Sequence, residues 1–132
     1  AVEAAGLDPD DVIEVVELPA LKARISYEAA RTMFENHKDV TAAFCANDLL
    51  ALGLLRAAVS TGRKVPDDMA ILGYDDIEFA ADAAVPLSSV RQPTLQIGRN
   101  AAQLLLEECD YPETHAHQQV MFKPELVVRD ST

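Results

Sequence analysis

The chain has 132 residues, and 49% of them are apolar, enough for one domain with a buried core. Against 11 Lys and Arg stand 22 Asp and Glu, a formal charge of −11 that repels a phosphate backbone and argues against nucleic-acid binding by this segment itself. Two cysteines, Cys45 and Cys109, are too few for a disulfide framework, and no apolar run reaches the roughly 18 residues of a membrane span; with no basic leader, the chain fits a reducing cytoplasm and no membrane partner.

Ala1 to Gly6 look like the middle or end of a helix with no cap before them, so the chain reads as a fragment. Val12 to Val16 is a β-branched run between Asp8-Pro9-Asp10-Asp11 and Pro19, and predicts a strand between turns. From Tyr27 to Glu35, Ala29, Ala30, Met33 and Phe34 recur at helical spacing. Ala42 to Ala46 is continuously apolar, as expected of a parallel strand covered on both faces. Asn47-Asp48 then supplies an N-cap for a helix from Leu49 to Ser60, with Gly62 as its left-handed exit. Met69 to Leu72 predicts a second buried strand, ended by Gly73-Tyr74-Asp75-Asp76, and Ile77 to Ala84 a further helix. Leu87 to Val90 reads as a third strand, followed by a helix from a Thr94 cap to about Glu108. Val120 to Phe122 and Leu126 to Arg129 look like a closing pair of strands. Strands alternating with helices at short loop lengths predict an α/β fold, a three-layer α/β/α sandwich with a mainly parallel sheet.

In such sheets ligands bind outside the carboxyl ends of the strands. Asn47 and Asp75 each stand as a polar residue directly after a buried strand, and an amide with a carboxylate suits a polyol or sugar. A second reading stays open at this point: Asn47 and Asp48 cap a helix, and Asp75 and Asp76 shape a turn. The helix from Leu49 to Val59 is apolar almost all round, with Arg56 its one clearly polar residue, so it is covered on two sides, by the core or by a second subunit.

Phe44-Cys45-Ala46-Asn47-Asp48-Leu49-Leu50-Ala51-Leu52-Gly53, followed by Gly62 to Asp76 with its Gly73-Tyr74-Asp75-Asp76, resembles the C-terminal subdomain of the lactose/galactose-repressor (LacI/GalR) family. Pro86 to Pro93, Ile97-Gly98 and Pro124 to Thr132 continue the resemblance, which spans about Tyr27 to Thr132 in order. It implies a type I lobe like that of periplasmic binding proteins: residues 1–132 as the C-terminal lobe of a two-lobed effector-binding domain, with the first lobe and a DNA-reading headpiece outside this chain. It further implies effector contacts at Asn47, Asp75 and Gln92, and subunit pairing into a homodimer through Leu52, Leu55 and Phe79. The family carries a pocket-lining aromatic where this chain has Leu21, and a glycine where it has Ser26; the departure at Leu21 removes a stacking surface and points away from a simple hexose. The function implied is effector sensing in a transcription repressor, without catalysis or cofactor. A transporter's sugar-binding protein shares the fold and is the alternative.

Other chemistry has less behind it. His115-Ala116-His117 reads as surface histidines, because a closed metal site needs about four placed ligands. Ser88 and Ser89 lack a nucleophile-elbow context, and Cys45 reads as inert core. A small enzyme using Asp75 and Asp76 as an acid/base or metal pair is a third class, which predicts perturbed carboxylates in a closed pocket.

Overall fold

The computed structural model describes residues 2–114 and 116–132; Ala1, at the start of the predicted helical remnant, and His115 lie outside the described residues. A 3-10 turn at Glu3–Ala5 ends on Gly6 at φ 76, and α1 (Pro9–Val12) follows at once. The expected strand at Val12–Val16 is not formed, a correction with a local cause. Asp8 accepts a bond from Asp10 N (3.1 Å) as N-cap and Pro9 takes the first helical position, so the presumed turn residues start a helix instead. Beyond it Ile13 is extended, but Val15 is 79% exposed, and no strand pairing involves this stretch.

The helix α2 (Ala23–Asn36) starts four residues before the predicted Tyr27 and buries Ser26, Ala30 and Phe34. Then come β1 (Ala42–Phe44), α3 (Asp48–Ser60), β2 (Ala70–Tyr74), the single-turn α4 (Glu78–Ala81), β3 (Ser88–Arg91), α5 (Thr94–Asp110) and β4 (Glu125–Val127). Thr94 is the first residue of α5 and not its cap: Pro93 holds the cap position, with no side-chain capping bond. The strand order is β1-β2-β3-β4, with β1, β2 and β3 parallel and β4 antiparallel to β3. Val120–Phe122 forms no strand; Val120 and Phe122 instead line a groove along α5 with Ile97 and Leu104. The result is the predicted α/β class, a mostly parallel sheet flanked by helices.

Alternation along the strands gives the sheet two unlike faces. Ile71 and Gly73 of β2 and Ser89 of β3 are buried beneath α3, with Cys45, just past β1, buried too and α2 packed alongside the helix. A Cβ on Gly53 would collide with the Ala23 carbonyl oxygen and lie 2.8 Å from Ser26 Cβ, so the two helices meet at a closeness only glycine permits. Ser26 Oγ seals that contact by donating to the Leu50 carbonyl (2.7 Å). On the other face Phe44 is 64% exposed and meets Tyr74 edge-on at 6.4 Å. The run at 42–46 is therefore an edge strand with one well-covered face, contrary to the expectation of cover on both. Unbroken apolarity cannot distinguish the two cases, because it does not say which element supplies the second cover.

Candidate functional site

Phe44 pairs with Leu72, so Asn47 and Asp75, each three residues further on, leave neighbouring parallel strands at the same level. The side chain of Asn47 caps α3, its Oδ1 accepting from Leu50 N (3.0 Å); Nδ2 has no hydrogen-bond partner recorded among the described residues. Asp75 is exposed, and its Oδ1 accepts from Gln92 Nε2 (2.9 Å) one residue past β3. Leu21 is 55% exposed immediately before α2, whose first turns lie against the start of α3 through Ser26–Leu50. Because α3 begins where β1 ends, that contact puts Leu21 toward the same end of the sheet as Asn47. The capping reading of Asn47 is thus correct for one atom of its amide and leaves the nitrogen as a donor.

The sequence did not single out what binds these loops together. Asp48, read there as a second capping residue, is fully buried: Oδ1 accepts from Ser89 Oγ (2.6 Å) and Oδ2 from Ile77 N (2.8 Å). One carboxylate thereby joins the loops after β1 and β2 to β3. Gly73 has to lack a side chain here, since a Cβ would overlap Asp48 Oδ1. Asp75 and Asp76 both hold positive φ, 102° and 53°, which costs a non-glycine residue about 1 kcal/mol or more. Backbone and side chains together hold this turn, with Asp75 N donating to the Val90 carbonyl (2.9 Å) and Asp76 N to Ser89 Oγ (3.0 Å).

The Asp76 carboxylate turns inward, its side chain only 5% exposed. Arg91 meets Oδ2 through Nε (2.7 Å) and Nη2 (2.6 Å), and Arg129 Nη2 lies 2.7 Å from Oδ1. The Arg129 contact is a charge pair without hydrogen-bond alignment, since Oδ1 has no directed donor among the described residues. Burial pushes the Asp76 carboxyl up, but Arg129 and Arg91 outweigh it, and the net displacement is below the ordinary carboxylate range. A carboxylate held between two guanidinium groups is a poor base, so this geometry does not favour Asp75 and Asp76 as an acid/base pair. Cys45 is buried, and its thiol is pushed up to about 12 by burial and by the Asp48 charge, which suits a core residue and not a nucleophile.

The periplasmic binding protein-like domain model matches residues 1–132. The chain belongs to that family. The HTH-type transcriptional repressor PurR of Haemophilus influenzae is 37% identical over 114 residues, which is 85% of this chain and 34% of the repressor. The structure resembles the transcriptional regulator CelR–cellobiose complex, at TM-score 0.87 and 35% identity over 99% of this chain and 39% of that one. It also resembles a LacI family transcriptional regulator from Arthrobacter sp. FB24 in complex with lactose, at TM-score 0.75 and 32% identity over 84% of this chain and 41% of that one. These relatives are transcription regulators, the Arthrobacter one of the LacI family, and this chain spans about a third of the length of the curated one. No helix among the described residues is long and apolar enough to cross a membrane.

A second feature of this family member is an apolar groove of about 370 Å³ along α3, lined by Leu52, Leu55, Val59, Ala83 and Ala84 with Arg56 beside them. Of these, Leu55 is 4% exposed and Leu52 half-buried; Phe79 on α4, which does not line the groove, has 70% of its surface open.

Proposed function

We propose that this chain is the effector-sensing and dimerisation module of a transcription repressor, the C-terminal lobe of a two-lobed domain in a cytoplasmic protein. Asn47, Asp75 and Gln92 supply polar contacts to a carbohydrate or polyol, and Leu21 offers an aliphatic wall in place of a ring. No catalytic step is assigned. Operator DNA is read by a headpiece outside these residues, because a segment of charge −11 would repel it. The observation that carries the reading is the rim itself, where the Asp75–Gln92 pair stands beside the Asn47 loop and Asp48 and Ile77 bind the two loops. A homodimer forms through Leu52, Leu55 and Phe79, with Phe79 of one copy entering the α3 groove of the other; two-fold symmetry then makes the contact twice. The kinship with regulators favours this reading over a transporter's binding protein.

Calorimetry on the intact protein with cellobiose and lactose, the sugars bound in the two structural neighbours, tests the site. Asp75→Ala is expected to weaken binding at least about tenfold, the usual loss for hydrogen bonds to a charged acceptor, and to leave operator affinity in place. Unchanged sugar affinity would remove Asp75 from the site.

A further inference from the structure

Two consecutive residues of the β2–α4 loop pair with two consecutive residues at the end of β3: Asp75 with Gln92 (2.9 Å) and Asp76 with Arg91 (2.6 Å). The two rungs point opposite ways. Asp75 is exposed while the Asp76 side chain is only 5% exposed, and both backbones hold positive φ, a conformation that the bonds around them help to fix. Arg129, two residues past β4, holds the other oxygen of Asp76 while its Nη1 donates to the Leu87 carbonyl (2.6 Å). The inner rung is thus fastened to both β3 and the chain after β4, and beside the bonds of Asp75 N to the Val90 carbonyl and Asp76 N to Ser89 Oγ it is a side-chain anchor shared by the turn presenting Asp75 and the residue preceding Gln92.

We infer that Asp76, clamped by Arg91 and Arg129, is a positioning residue: it sets the placement of Asp75 at the rim, and through Asp75 that of Gln92, and so the affinity for effector, without touching the effector. This rests on the site reading proposed above. A network that only stabilised the fold would alter how much protein is folded. A positioning network alters affinity per folded site, and only while Asp75 is there to be placed.

The test is a double-mutant cycle on the intact protein, titrated calorimetrically with cellobiose and lactose. Asp76→Asn is expected to weaken the sugar that binds by roughly tenfold with stoichiometry unchanged. In an Asp75→Asn background the same substitution is expected to change affinity by less than about twofold, because the group it positions is already impaired. If Asp76→Asn does not fold, Arg91→Lys carries the test, keeping the charge and losing the two-nitrogen contact on Asp76 Oδ2. Full additivity in the two backgrounds, or an Asp76→Asn affinity within about twofold of the unmodified protein while Asp75→Ala abolishes binding, overturns the positioning role and leaves the site reading standing. No effect of Asp75→Ala, or no binding of either sugar by the unmodified protein, removes the site reading and this inference with it.

Discussion

Removing the Asp48 carboxylate tests whether one buried acid holds the rim together. It is fully buried, accepts from Ser89 Oγ at 2.6 Å and Ile77 N at 2.8 Å, and lies in the first turn of α3, where the helix dipole favours a negative charge. Hydrogen bonds to a charged acceptor contribute about 1.5–3 kcal/mol each, and Asp48→Ala loses two, leaving the Ser89 hydroxyl buried and the Ile77 N–H part-buried without that acceptor. Relief of the buried charge offsets part of this, so a net loss of about 3 kcal/mol is expected. Asp48→Asn keeps the shape. Its oxygen has to face the fixed Ile77 N–H, so its NH₂ faces Ser89, whose hydroxyl can turn to accept but whose own proton then has no acceptor. One charged bond is lost and the other weakened, a cost of about 1–2 kcal/mol. Urea unfolding of the intact protein, with midpoint and slope fitted for both variants, measures the two losses. Losses below about 0.5 kcal/mol for both, the range of ordinary surface changes, would refute the network, and an Asn variant as costly as Ala would refute the assignment of donors.

The buried acid at Asp76 predicts a pH dependence. Its folded pKa lies below the ordinary value, so its contribution is complete above the unfolded carboxylate pKa of about 4 and is lost as pH falls through the folded value; Asp76→Asn is expected to flatten the acid limb of the melting-temperature profile, and an unaltered limb would contradict the ion-pair assignment. Phe79→Asp puts a charge where an apolar knob is proposed to enter the α3 groove, and sedimentation is expected to show dimers giving way to monomers; a fully dimeric variant would remove Phe79 from the interface.

The parallel core was legible because its signals are local. The apolar run at 69–72, the Asn47 cap and the Gly62 exit at φ 78 stand where sequence pattern puts them, shifted by a residue or two at the ends. What failed was pairing and cover. Val12–Val16 has the composition of a strand, but a strand exists only with a ladder partner, and composition names none. Asp8-Pro9-Asp10-Asp11 satisfies turn and helix-start rules equally, and the capping bond decided between them. At the candidate site, the residues proposed from sequence are those at the rim, Asn47, Asp75 and Gln92. Those missed, Asp48, Asp76, Arg91 and Arg129, act through contacts 15 to 53 positions apart, which no local window contains. Two charged residues next to two site candidates were the available hint: Arg91 precedes Gln92 and Asp76 follows Asp75.

That interlocking bears on how a ligand at this rim could be felt elsewhere. Binding shifts a conformational equilibrium only by the difference in affinity for the two arrangements, so contacts on freely moving side chains transmit little. Here the three polar candidates sit on loops joined to one another: Asp48 ties the β1 loop to the β2 loop and to β3, and Asp76 ties the β2 loop to Arg91 and Arg129. Between Arg91 and Glu125 the chain leaves the sheet for α5 and returns, and those two residues face each other in the β3–β4 register, with Nη1 and Oε2 3.4 Å apart. An effector that draws Gln92 and Asp75 together therefore pulls on the base of that excursion. On the proposed reading, occupancy at the rim is expected to bear first on the base of α5, a helix with no fully buried residue among the described residues.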